Sequence, residues 1–152
     1  MISVIIPTLN DERRLTAALA PLVPAAMEGL VRELIVVDGG SDDATFEIAD
    51  DAGAKFIRSS GEASARVAEG MKAAKGPWLL VLDPGVRLDH GWEQAALKHM
   101  NAHTGPGRFR LENGEGGWLS RLREPRARAV LLMKAGPLKL DGGRRLDARG
   151  WV

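Results

Sequence analysis

The chain has no cysteine and no tyrosine, and only three phenylalanines and four tryptophans among its 152 residues. Without thiols neither a disulfide framework nor a thiolate zinc site can form, and a reducing compartment suits the sequence. Few rings are interleaved with the basic residues of the tail, Trp118 and Trp151 being the candidate stackers beside the single Phe109, so a stacking platform for single-stranded nucleic acid is not expected. No apolar run approaches membrane-spanning length, and the opening "ISVIIP" lacks both the basic flank and the length of a signal-peptide core. A cytoplasmic protein is the expectation. A large net charge is also missing: the balance is +1, yet it is unevenly spread. Residues 1–104 carry 10 Lys and Arg against 15 Asp and Glu, whereas residues 105–152 carry 11 against 5. The tail is therefore basic, which leaves open a membrane surface or an anionic, lipid-linked partner.

Two phosphate-binding glycine motifs are absent as well. The segment after the first apolar run is "PTLND", with no glycine to bring backbone close to a pyrophosphate, and no G-x-x-x-x-G-K-[ST] loop occurs anywhere. A dinucleotide-type Rossmann domain and a P-loop are both excluded. Any nucleotide has to be held in another way.

What is present is a rhythm of short aliphatic runs: "ISVII" (2–6), "ELIVV" (33–37), "AKFIR" (54–58) and "WLLVL" (78–82). Runs of this kind suit strands covered on both faces, hence a largely parallel sheet. Between the first two, Asn10 can cap a helix, Asp11 and Glu12 favour its positive end, and Leu15, Ala18, Leu19 and Leu22 share a face. Between the next two, Ser41 or Asp42 can cap a helix whose apolar stripe is Phe46, Ile48 and Ala49 and whose stop is Gly53. An alanine-rich third helix runs to Gly76, and a fourth starts after Asp89. The order is that of an α/β fold, a Rossmann-like, mostly parallel sheet flanked by helices in three layers. The length predicts a single domain over 1–152. Beyond residue 104, "GRFRLE" reads as an edge strand, 118–134 as helix interrupted by Pro125, and "GGRRLDARGWV" as weakly patterned.

Ligands of such sheets bind at the carboxyl ends of the strands. Here those ends are Pro7-Thr8-Leu9-Asn10, Asp38-Gly39-Gly40-Ser41, Ser59-Ser60-Gly61 and Asp83-Pro84-Gly85, so two of them bring a carboxylate to one rim. An aspartate followed by glycines can accept from a ribose hydroxyl or a base N–H, but the same spacing also suits an ordinary turn into a helix. Spacing alone leaves both readings open.

Taken together, "ISVIIPTLND", "ELIVVDGGSDDAT", "GAKFIRS", the helix closing in "AAKG" and "WLLVLDPGVRLDHGW" resemble a family 2 glycosyltransferase of the GT-A fold, in a short bacterial subgroup with VVDGGS. The resemblance covers roughly residues 1–95. It implies a nucleotide-diphosphate sugar as donor, with Pro7, Thr8, Asn10, Asp38, Gly39 and Asp83 at the nucleotide. It also implies a divalent cation, Mg2+ or Mn2+, held at Asp83, since hard oxygens beside a diphosphate are what such a metal uses to neutralise the leaving group.

The chain departs from that pattern in three places. Gly85 stands where the family's Asp-x-Asp motif has its second carboxylate, which lowers the expected metal affinity. Ala68 and Glu69 replace the Arg or Asn expected before Gly70, leaving Arg66 as the nearest cation. The acidic residue that serves as base in relatives has no counterpart among Glu112, Glu115, Glu124, Asp141 and Asp147, and the acceptor half reads as reduced, so the catalytic residue is unknown. The readings that follow are a transferase acting on an unknown acceptor, and an inactive, reduced GT-A domain with a nucleotide-binding or structural role. Three smaller expectations complete the set. His99 and His103, four apart, are expected to be solvated rather than metal-bound; Trp78 and Trp92 to sit in the core; and Leu131, Leu132 and Met133 to supply the interface of a homo-oligomer, a dimer.

Overall fold

A computed structural model of the chain describes residues 1–102, 106–109, 130–134 and 144–146. The first four strands are β1 (Ile2–Thr8), β2 (Val31–Asp38), β3 (Lys55–Arg58) and β4 (Trp78–Val81). They are mutually parallel in the order β3-β2-β1-β4, with Ile5 opposite both Ile35 and Val81. Because successive side chains on a strand alternate faces, each aliphatic run feeds two separate cores. Val4, Ile6, Val36, Leu80 and Leu82 enter one cluster, and Ile5, Ile35, Val37, Leu79 and Val81 enter the other. Burying each of these aliphatic side chains contributes about 1.5–3 kcal/mol.

The helices divide between those faces. On the larger core lie α1 (Glu12–Leu19), α2 (Leu22–Met27), α3 (Thr45–Asp51) and α5 (Trp92–Ala102), contributing Leu15, Ala18, Leu22, Ala25, Ala49, Trp92 and Ala96. Helix α4 (Ala63–Ala73) covers the other face with Val67 and Met71. It lies so close that a Cβ on Gly70 would come within 2.5 Å of Ile5 Cγ2 and 3.1 Å of Val37 Cγ2. The three expected layers are thus in place.

The local details depart from expectation at several points. The first helical stretch is two helices, so Leu15 and Leu22 reach the core from different axes. Asn10 is not a cap: it takes φ 53° in the loop ahead of α1. Helix α3 begins at Thr45, past both Ser41 and Asp42. Phe46 is 44% exposed and meets Phe56 edge-on, centroids 5.0 Å apart, instead of entering the core. Helix α4 ends at Ala73, short of Gly76. His99 is fully buried, with its ring edge-on to Trp78 at 5.7 Å, whereas solvation was expected. Trp78 and Trp92 are buried as foreseen, and His103 lies outside the described residues.

The basic tail holds the largest surprise. Val130–Lys134, expected to be helical, is strand β6, and it runs antiparallel beside β4 with Leu80 opposite Leu132. Gly107–Phe109 (β5) pairs with β6 on one side and with Arg144–Leu146 (β7) on the other, so it is internal and not an edge. The whole order is β3-β2-β1-β4-β6-β5-β7. Leu131, Leu132 and Met133, expected to supply a dimer interface from a helix, therefore lie on an internal strand between β4 and β5. The stretch 118–129, with its Pro125 interruption, lies outside the described residues.

Candidate functional site

The carboxyl ends of β1, β2 and β4 meet at one rim, as the parallel order requires. Thr8 ends β1 fully buried, and its Oγ1 donates to Asp38 Oδ1 at 3.0 Å. Asp38 ends β2 and is 2% exposed. Its Oδ2 accepts from the N–H groups of Gly40 and Ser41 at 2.9 and 2.8 Å, and its Oδ1 also accepts from the Ser41 hydroxyl. Gly40 makes this turn at φ 104°, a conformation in which a Cβ is strained. Burial alone would push the Asp38 carboxyl up, but the hydrogen bonds from the Ser41 hydroxyl, the two backbone N–H groups and Thr8 hold it below the usual carboxylate range. Four donors fill this carboxylate. Asp38 thus builds the turn after β2, and a ribose or base would have to displace one of those donors to reach it.

The loops after β1 and β2 are tied to one another. Asn10 N donates to Ser41 Oγ at 2.8 Å, and Asn10 Oδ1 accepts from Asp42 N at 3.0 Å. Asp43 accepts from Glu12 N at 3.1 Å and Thr45 N at 3.0 Å, while Glu12 Oε2 accepts from Ala44 N at 3.3 Å. Each helix start is thereby satisfied by an acid of the other, which explains why neither used the local caps read from sequence. Burial opposes ionisation of Asp43, but the hydrogen bonds from Thr45 and Glu12 outweigh it and lower its carboxyl. Above this rim Leu9 stays 48% exposed, close over Gly39.

Arg66, from the first turns of α4, also reaches Gly39. Its Nη1 donates to Gly61 O at 2.7 Å and would lie 2.7 Å from a Cβ on Gly39. The side chain is buried, and its Nε has no hydrogen-bond partner among the described residues. Glycine at 39 makes room for this guanidinium, a role that the sequence reading had not assigned to it.

Asp83 follows β4 and is also 2% exposed. Its Oδ1 accepts from Gly85 N at 2.8 Å and from Arg14 Nη2 at 3.3 Å. Arg14, on α1, places Nη1 2.8 Å from Asp11 Oδ1, and Asp11 Oδ2 in turn accepts from Leu9 N at 3.0 Å. Asp11 and Arg14 were missed as site residues, because their link to Asp83 spans most of the half-domain and leaves no local spacing signal. These residues do not fit a divalent cation as placed. Three of the four oxygens of Asp11 and Asp83 accept hydrogen bonds, Gly85 offers no side chain, and the described residues hold no group of three His, Asp or Glu that could bind a metal.

A mostly parallel sheet between helices, with acids at its carboxyl rim, is an α/β arrangement that binds ligands at its strand ends, and the solved structures it resembles are GT-A glycosyltransferases. The chain belongs to Glycosyl transferase family 2, whose profile it matches over residues 3–139. It is similar in structure to S. aureus TarS (residues 1–349), with TM-score 0.68 and 22% identity over 88% of this chain and 47% of that one. It is also similar to the glucosyl-3-phosphoglycerate synthase of Mycobacterium tuberculosis solved with Mn2+ and uridine-diphosphate-glucose, with TM-score 0.62 and 22% identity over 72% of this chain and 43% of that one. A TPR repeat-containing protein of Synechococcus elongatus is 44% identical over 74 residues, 47% of this chain and 18% of that protein. The chain thus spans less than half the length of these relatives.

Proposed function

We propose that the chain binds a nucleotide-diphosphate sugar at the carboxyl rim of β1, β2 and β4, as the donor side of a glycosyl transfer. The observation that carries this reading is the convergence of Thr8, Asn10, Asp38, Gly39 and Asp83 at one rim in a family 2 chain. Asp38 fixes the turn, the exposed Leu9 offers an apolar face to a base, and the amide of Asn10 stands at the loop mouth. A solved relative in complex with Mn2+ and uridine-diphosphate-glucose supports the choice of ligand. The acceptor would be met on the side of β5 to β7, and the basic sequence there suits an anionic, lipid-linked molecule. No described helix is long and apolar enough to cross a membrane.

A second reading, an inactive domain that keeps only the nucleotide pocket, is favoured by one observation: the place of the second metal-motif carboxylate is taken by Gly85 with Arg14 above it. Calorimetric titration with uridine diphosphate and a panel of nucleotide sugars tests the shared core of both. Saturable binding weakened by Asn10→Ala and Leu9→Ser is the expected result. Heats no larger than dilution for every nucleotide would sink both readings and leave the fold alone.

A further inference from the structure

The region around Gly85 is filled from a distance. A Cβ built there would lie 2.2 Å from Arg14 Nη2 and 3.0 Å from both Cζ and Nε, so the guanidinium occupies the volume a side chain at 85 would enter. Arg14 is anchored there by Asp11 at 2.8 Å and Asp83 at 3.3 Å, yet its own side chain is 49% exposed. Two of its five N–H groups serve these carboxylates, and among the described residues the others have no hydrogen-bond partner. Charge and donors point the same way. A divalent ion at this spot would face a fixed positive charge and would find one carboxylate oxygen, Asp83 Oδ2, that accepts no hydrogen bond from the described residues.

We propose that Arg14 occupies the cation's place in this chain, excluding Mn2+ and Mg2+ and presenting a guanidinium to the ligand instead. On the nucleotide reading above, a nucleoside diphosphate then binds without metal, its phosphate oxygens accepting from the outward N–H groups of Arg14. One positive charge against two carboxylates leaves this cluster one unit negative, where a divalent ion would leave it neutral. Diphosphate affinity is therefore low.

The test has two arms, both on the full chain. In the first, Mn2+ is titrated without nucleotide and followed by electron paramagnetic resonance. The wild-type chain leaves the Mn2+ signal free. Arg14→Ala, which frees the Asp11 and Asp83 carboxylates, gains Mn2+ affinity by about tenfold or more. Stoichiometric Mn2+ binding by the wild type that disappears in Asp83→Ala overturns the proposal. So does an Arg14→Ala chain with native circular dichroism that binds Mn2+ no better than the wild type. In the second arm, uridine diphosphate is titrated in EDTA and in Mn2+, with affinities equal to within about twofold expected and a loss of about tenfold in Arg14→Ala in EDTA. Binding that requires Mn2+ overturns the role of Arg14 while the nucleotide reading survives. Absence of binding in both buffers overturns the nucleotide reading, and the first arm still decides what fills the cation's place.

Discussion

Asp38 and Asp83 invite comparison. Both stand at the carboxyl ends of parallel strands, both lie at the same rim, and both are 2% exposed. Their surroundings nevertheless differ in kind. Asp38 is enclosed by four neutral donors, three of them from the turn it starts and the fourth from Thr8 on the neighbouring strand. Asp83 has one backbone donor from its own turn and one charged partner from α1. The same signal in sequence, a carboxylate ending an aliphatic run, thus produces a turn-builder at one strand and half of an ion pair at the other. A carboxylate enclosed by neutral donors has little capacity left for a ligand, whereas one held by a half-exposed guanidinium sits in a cluster that can exchange partners.

Four measurements would break or sharpen this contrast. The largest effect belongs to Asp38→Ala, which strands buried donors of Thr8, Gly40 and Ser41. A loss of about 3 kcal/mol in urea unfolding is expected, and a loss no greater than that of Asp83→Ala would end the distinction. Next comes Asp38→Asn, expected to cost about 1–2 kcal/mol because one oxygen can still accept from the Gly40 and Ser41 N–H groups while the amide NH2 no longer accepts from the Thr8 and Ser41 hydroxyls, which must turn to accept from it. The folded carboxyl lies below its unfolded value, so its stabilisation is complete above the unfolded range near about pH 4 and is lost as pH falls through the folded value. The gap between wild type and Asp38→Asn should accordingly stay constant near neutrality and shrink in acid. Asp43, shifted the same way, remains in both proteins and cancels. Smaller again is Asp83→Asn, expected at about 1 kcal/mol, since the backbone bond from Gly85 survives and the guanidinium keeps Asp11. Arg14→Ala closes the series at roughly 0.5 kcal/mol in thermal unfolding, half-exposed as it is, with its effect diminishing in high salt. A salt-insensitive loss of several kcal/mol there would mean that the pair is structural.

Much of the parallel half was legible in the sequence, because aliphatic runs bounded by turn residues have few other uses. The four strands, the helices between them and the buried Trp78 and Trp92 all follow from pattern. The antiparallel half was not. "AVLLMK" is built from residues that favour helices in isolation, and only the open side of β4 makes its last five a strand. The helix starts were misread for a related reason. Asn10, Ser41 and Asp42 are good local caps, but Asp43 and Glu12 satisfy each other's helices across the loop pair, a solution that exists only once β1 and β2 are adjacent. At the rim, Asp38 and Asp83 were visible by position, while Arg14 and Asp11 were hidden by separation and the exposed Leu9 by its unremarkable identity. His99 was misplaced because its spacing from His103 drew attention to a shared polar face, when the helix turns it toward Trp78.

The position of β6 has a bearing on how the chain comes to be made. Strand β4 ends at Val81 and its antiparallel neighbour begins only at Val130, so this pairing closes a long loop, whereas β1 to β3 meet through short crossovers. During synthesis the first four strands can assemble while the backbone groups along the outer side of β4 still await a partner. Until residue 134 leaves the ribosome, that side of the sheet is a template for any extended segment nearby. The order of emergence, more than final stability, then decides whether newly made chains pair with themselves or with each other.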